Sequence, residues 1–298
     1  MSVITKAGLL ALALPLPPAQ TTQAAQPEPL IVIVQKRQDA QERTLRVLRD
    51  GSVEEAALDT YLAQVVLSEM PASFAPGKHE SADVCAQSAC CQACLTVEDL
   101  RARYGDGFEA AWDKALAAVR ETQNEVLTYE GALIDAVYFS CSGGSTEDAA
   151  AVWGTDVPYL RAVKSPGEQD AAKYESRVCV TAETFAETLR ALDASVQLSG
   201  DPGGWVQSVT RTPGGGVDTL TAGGRTFSGV QLRKAFGLNS TRFTLLYEDG
   251  AFSFDVLGYG HRVGMSQYGA DAIARLGFDY RTILRFYYRG AELTTLDF

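Results

Sequence analysis

Apolar residues recur along the chain with two periods. Leu58, Tyr61, Leu62, Val65 and Val66 fall on one stripe at helical spacing, and Pro71 stops the run because proline has no amide hydrogen to continue the ladder. Just ahead of them, Ser52 and Glu55 are placed as a capping box, so the pattern predicts that this helix begins there. Phe108, Ala111, Trp112, Ala115, Leu116 and Val119 write a second helix over Phe108 to Thr122. Strand-like runs lie at Leu30 to Val34, Val126 to Tyr129 and Leu133 to Phe139, the last two separated by the turn Glu130-Gly131. Ser142 to about Glu168 reads as loop and Thr181 to Leu192 as a short helix. Between residues 199 and 228, Gly-rich turns separate short runs such as Gly204 to Val209 and Val217 to Leu220, as in small antiparallel hairpins. A helix at Gly229 to Phe236, strands at Arg242 to Tyr247 and Ala251 to Val256, and one or two helices over Ser266 to Tyr288 broken at Gly277 complete the pattern. Helices and strands do not alternate regularly. The expectation is therefore an α+β fold, antiparallel sheet elements with packed helices, rather than a doubly wound sheet.

Composition narrows the class. With 46% hydrophobic and 21% charged residues among 298, the chain can bury a core, which excludes a disordered or collagen-like protein. A formal charge of -11 excludes nucleic acid as the main partner, since that needs clustered Lys and Arg. Lys6, the apolar run Ala7 to Leu16 and the small or polar residues around Thr22-Gln23-Ala24 predict an export signal over 1–24, with a disordered leader or an uncleaved anchor as alternatives. The run is too short to span a bilayer, and no other stretch is long and apolar enough. The expected location is thus outside the cytoplasm, periplasmic or extracellular, with no stable membrane span and an oxidising medium around the cysteines. Residues 25–50 would supply an N-terminal strand and lead-in, and 51–298 the main domain, with a β-rich subdomain around 199–256.

Chemistry is limited by scarcity: there are two histidines, His79 and His261, and six cysteines. Glu69 shares the stripe of Leu58, Leu62, Val65 and Val66, at the end of an apolar face. Partial desolvation there would keep a carboxyl protonated as an acid; the alternative is a glutamate that snorkels to solvent. His79, Cys85, Cys90 and Cys91, with Cys94 close behind, suit a tetrahedral zinc site, or else a pair of disulfides in an exported protein. Cys141 and Cys179 are left to pair with each other or to stay free. The glycine-rich run Gly258 to Ala270 brings His261, Ser266, Gln267 and Tyr268 as donors and acceptors for a polyhydroxylated ligand, or forms a tight turn around a core histidine. It matches no phosphate-binding fingerprint. In Tyr138 to Thr146, Ser140 and Ser142 sit in a loop without the G-x-S-x-G elbow, so they are read as orienting substrate rather than attacking it.

These residues together resemble the SpoIID/LytB family. Tyr61-Leu62 through Glu69-Met70-Pro71, His79 to Gln92, Phe139 to Gly144, Val152-Trp153-Gly154 with Pro158-Tyr159-Leu160, Ser228-Gly229 with Leu232-Arg233, and Gly258 to Ala270 occur in the family's order, over roughly residues 51 to 295. The resemblance implies a SpoIID-like catalytic domain and a peptidoglycan lytic transglycosylase, which cuts the MurNAc-GlcNAc bond without water and leaves a 1,6-anhydro-MurNAc end, on glycan stripped of stem peptides. It implies Glu69 as catalytic acid and base, a structural Zn2+ held by His79, Cys85, Cys90 and Cys91, with Cys90 where a histidine is usual, and a substrate-binding cleft lined by Ser140, Ser142, His261, Ser266, Gln267 and Tyr268. The implied partners are peptidoglycan glycan strands and a cell-wall amidase. Two departures stand out. Only Ala72 to Lys78 separates Pro71 from His79, where the family has an Ala-rich helical segment, which raises a non-catalytic, glycan-binding or amidase-activating protein as the alternative. Arg262 replaces a usual glycine, so it would crowd the loop or contact an anionic sugar substituent.

Overall fold

The computed structural model describes residues 44–68, 79–87 and 94–295. The predicted signal, the run at Leu30 to Val34, Glu69, Cys90 and Cys91 lie outside the described residues. The chain divides into two compact units, one of Met1–Val137 with Gly290–Phe298 and one of Tyr138–Arg289.

In the first unit, β1 (Thr44–Arg49) and β2 (Ser52–Ala57) form an antiparallel hairpin. Asp50 and Gly51 close it at φ 48° and 83°, the left-handed pair that a two-residue hairpin turn requires. This corrects the predicted helix start: Ser52 and Glu55 pair with Arg49 and Arg46, and helix α1 (Leu58–Ser68) begins only at Leu58. The alternation that buries Leu45 and Val47 pulls the following residues into strand pairing, and a local capping signal cannot compete with six paired residues. Cys85, in β3 (Val84–Cys85), continues this sheet in parallel to β1. Helix α1 buries Leu58, Tyr61, Val65 and Val66 as its periodicity demands. Helix α2 (Val97–Tyr104), which the apolar pattern did not announce, is set by a Thr96/Asp99 capping box, while α3 (Phe108–Glu121) matches expectation. Leu45, Tyr61, Leu100 and Phe108 share the core of this unit. Strands β4 (Glu125–Tyr129) and β5 (Ala132–Leu133) pair across Glu130-Gly131, and Glu292–Thr295 adds to the other edge of β4.

In the second unit, β6 (Tyr138–Phe139) leads into a loop-rich stretch that holds only the short helix α4 (Ala149–Trp153). The run predicted as one strand over Leu133 to Phe139 is thus two short strands, β5 and β6. Strand β7 (Glu175–Thr181) was not anticipated, and α5 (Ala182–Leu192) follows it. Strands β8 (Val206–Arg211), β9 (Val217–Ala222) and β10 (Arg225–Ser228) make the antiparallel meander that the Gly-rich turns predicted. Helix α6 (Gly229–Ala235) precedes β11 (Phe243–Glu248) and β12 (Ala251–Leu257), and β12 pairs antiparallel with both β11 and β7. Phe185 stacks on Phe252 at 3.9 Å between ring centroids, joining α5 to this sheet. Strand β13 (Met265–Ser266) runs parallel to β6, and α7 (Gln267–Arg275) and α8 (Tyr280–Tyr287) are separated at Gly277, φ 94°. The architecture is α+β, with small antiparallel sheets against helices. Among the described residues no helix is long and apolar enough to cross a membrane.

Candidate functional site

The serine loop and the glycine-rich loop lie side by side in the second unit. Tyr259 exchanges backbone hydrogen bonds with Cys141, and β13 continues the contact along β6. A Cβ at Gly258 would stand 2.7 Å from the carbonyl carbon of Ser142, so glycine is needed for the two backbones to meet.

The six residues expected to meet substrate are gathered here, with different surroundings. The Ser140 carbonyl accepts from the Tyr268 amide at 3.1 Å. Ser266 is buried, and its hydroxyl accepts from the Gly269 amide as the N-cap of α7. Ser142 is also buried, and its hydroxyl donates to Glu168 Oε2 at 2.8 Å. Both hydroxyls are thus engaged within the fold rather than presented to a ligand. His261 Nδ1 accepts from the Val263 amide at 3.2 Å, which makes Nε2 the protonated nitrogen, donating to the Tyr138 carbonyl at 3.1 Å. The ring lies 5.2 Å from Trp153 and 5.6 Å from Phe139, centroid to centroid. Burial, with the charge of Arg233 adding to it, lowers His261 to about 4, so it is neutral at physiological pH. Gln267 is half-buried and Tyr268 is 41% exposed, so these two face outward.

Behind the loops is a set of buried charges that the sequence did not disclose. The Glu168 carboxylate accepts from the amides of Ser142 at 2.7 Å and Gly143 at 2.9 Å on one oxygen, and from Ser165 Oγ at 2.5 Å on the other. Ser165 Oγ also bonds Tyr287 Oη at 2.6 Å. Gly269 packs against this cluster: a Cβ there would overlap Ser165 Oγ and Tyr287 Oη and lie 2.6 Å from Glu168 Oε1. Arg262, at φ 67°, occupies the left-handed region that explains why glycine would suit its position. Its side chain has no solvent exposure and donates to the Ser142, Ser145 and Gly214 carbonyls and to Glu147 Oε1, so contact with a sugar substituent is corrected to an internal tie. Burial lowers Arg262 to about 10 while the Glu147 carboxylate opposes the shift. An acid in a loop-rich stretch and one arginine carry no pattern in the chain that could have linked them.

In the first unit, Cys85 is buried in β3 and His79 is half-buried. One imidazole and three thiolates are the donor set of a closed tetrahedral zinc site, and two of those donors are placed. Among the described residues no group of three or more His, Cys, Asp or Glu could hold a metal ion. Burial pushes the Cys94 thiol up to about 11, and desolvation raises the half-buried Asp135 to about 7. In the second unit Cys141 and Cys179 are free thiols, which removes the expected option of pairing with each other: Cys141 is buried near the Lys173 carbonyl, while Cys179 lies on exposed β7 beside Ser253 Oγ.

Comparison with known proteins places the chain among cell-wall and sporulation relatives. The family model described as SpoIID, stage II sporulation protein, matches residues 49–129. The chain is 33% identical over 270 residues to stage II sporulation protein D of Bacillus subtilis (strain 168), covering 83% of this chain and 77% of that protein. Stage II sporulation protein D of Bacillus amyloliquefaciens is likewise 33% identical over 270 residues, covering 83% of this chain and 76% of its own. The amidase enhancer of Bacillus subtilis (strain 168) is 28% identical over 283 residues, covering 78% of this chain and 40% of its own length.

Proposed function

The chain belongs to the SpoIID family, and on that premise we propose that it is an exported lytic transglycosylase acting on peptide-stripped glycan strands of the cell wall. Glu69 acts first as an acid. Its carboxyl gives a proton to the glycosidic oxygen as the muramyl C1–O bond breaks, and the resulting carboxylate takes the proton of the same sugar's C6 hydroxyl as O6 closes onto C1. The glutamate ends protonated, ready for another cycle. Because the sugar supplies the nucleophile, a second catalytic carboxylate is not required, in contrast to hydrolysing glycosidases.

The observation that supports a carboxylate rather than an imidazole as the catalyst is the engagement of His261. With one ring nitrogen donating to the Tyr138 carbonyl and the other accepting from the Val263 amide, the imidazole has no nitrogen left for proton transfer. Tyr268 and Gln267 remain outward to meet hydroxylated sugar, and Ser140 anchors Tyr268 through its carbonyl. His79, Cys85, Cys90 and Cys91 would hold a zinc ion whose four protein ligands leave no open position, so its contribution is folding energy. The test is digestion of purified peptide-free strands by the protein and by Glu69→Gln, with mass spectrometry of the products. Anhydro-muramyl ends from the parent alone are expected; equal product from both would remove Glu69 from the role.

A second reading follows from the likeness to the amidase enhancer and from the short segment Ala72 to Lys78: a non-catalytic protein that grips glycan or stimulates a cell-wall amidase. Absence of anhydro product together with amidase stimulation that survives Glu69→Gln would favour it.

A further inference from the structure

Within the second unit, strands β7, β8, β11 and β12 and the β8–β9 turn line an open recess of about 720 Å³. Arg211 and Arg242 both line it. Arg211 Nη1 donates to the Gly215 carbonyl at 3.4 Å, and the guanidinium carbon of Arg242 stands 3.7 Å from where a Cβ of Gly215 would be, so one turn residue gathers both groups. Neither arginine has an ion-pair partner among the described residues. The neighbouring positive charges are already spoken for: Arg177, in the same recess, is paired with Asp255, and Arg262 with Glu147. Glu175 also lines the recess but is in ion-pair reach of neither arginine.

Two guanidiniums without a counter-ion raise the local potential in a chain whose formal charge is -11. Burial lowers Arg211 below the ordinary arginine value, and repulsion from the charge of Arg242 adds to it. A planar anion would relieve that repulsion and match the forked N–H donors.

We infer that Arg211 and Arg242 form a carboxylate-binding subsite for the lactyl groups of muramyl residues. This rests on the glycan reading above. In intact wall the lactyl carboxyl is tied up as an amide to the stem peptide, and only peptide-stripped strands present it as a carboxylate. An arginine pair therefore distinguishes stripped from substituted strands by charge, in addition to any steric exclusion of the peptide.

The test uses the full chain as Glu69→Gln, so that binding is read apart from cutting, and three probes: peptide-free glycan, the same glycan after its lactyl carboxylates are amidated with methylamine, and chitohexaose, which has no carboxylate. Binding to peptide-free glycan should weaken about tenfold or more on amidation, and by a similar factor on Arg211→Gln with Arg242→Gln, while chitohexaose binding stays the same in both proteins. Amidation leaves both arginines in place, so it decides the matter even if the double substitution disturbs folding. Equal binding of free and amidated strands would overturn the arginine assignment alone. Failure of all three probes to bind would overturn the glycan reading with it.

Discussion

Arg262 Nη1 and Glu147 Oε1 meet at 2.9 Å with neither side chain reaching solvent. The pair ties the glycine-rich loop to the serine loop, because the same guanidinium also donates to the Ser142 and Ser145 carbonyls. Glu147 Oε1 in turn accepts from Thr212 Oγ1 and the Gly216 amide of the β8–β9 turn. Arg262→Ala should cost about 3–5 kcal/mol, since it leaves a buried carboxylate without its counter-ion. Urea unfolding of the single and the paired Glu147→Ala/Arg262→Ala variants checks this, and the paired change should cost less than the two single costs added together.

Gly269→Ala should destabilise the protein by about 1–3 kcal/mol or more through overpacking, because the added methyl enters the space of Ser165 Oγ and Tyr287 Oη. A melting temperature equal to that of the parent would show that the Glu168 cluster yields readily.

His261 and Asp135 make opposite contributions to stability over nearly the same pH window. The unfolded chain protonates histidine near pH 6.5, but burial delays this in folded His261 to about 4, so its contribution is lost as pH falls between those values. Folded Asp135 keeps its proton up to about 7 while the unfolded carboxyl loses it near pH 3.9, so its contribution is lost as pH rises between those values. Relative to the parent between pH 4 and 6.5, Asp135→Asn should give a stability curve that climbs more with pH and His261→Asn one that climbs less. Chemical denaturation at half-unit pH steps reads both slopes.

Chelation should lower the melting temperature, as the proposed zinc adds its binding free energy to folding. Metal analysis alongside thiol counting decides the matter: unchanged melting in a metal-free preparation whose clustered cysteines are oxidised would replace zinc with disulfides.

Much of the local structure was legible because it depends on near neighbours. The stripes of α1 and α3, the Glu130-Gly131 turn, the meander of 206–228 and the break at Gly277 all follow from spacing within a few residues. Where competing local signals met, spacing misled. Ser52 and Glu55 look like a helix cap in isolation, and only the presence of Thr44–Arg49 as a pairing partner makes them strand.

The chain by itself determined the α+β class, the two loops that carry the polar residues, and the family whose motifs they follow. Tertiary structure decided what those residues do. Ser142 and Ser266 became internal ties, His261 a neutral wedge beside Trp153, and Arg262 a buried link, because each position gained partners 26 to 126 residues away in sequence. Pairings of that span leave no periodicity in the chain. They exist only once folding has removed water from around the charges and made each unsatisfied group costly.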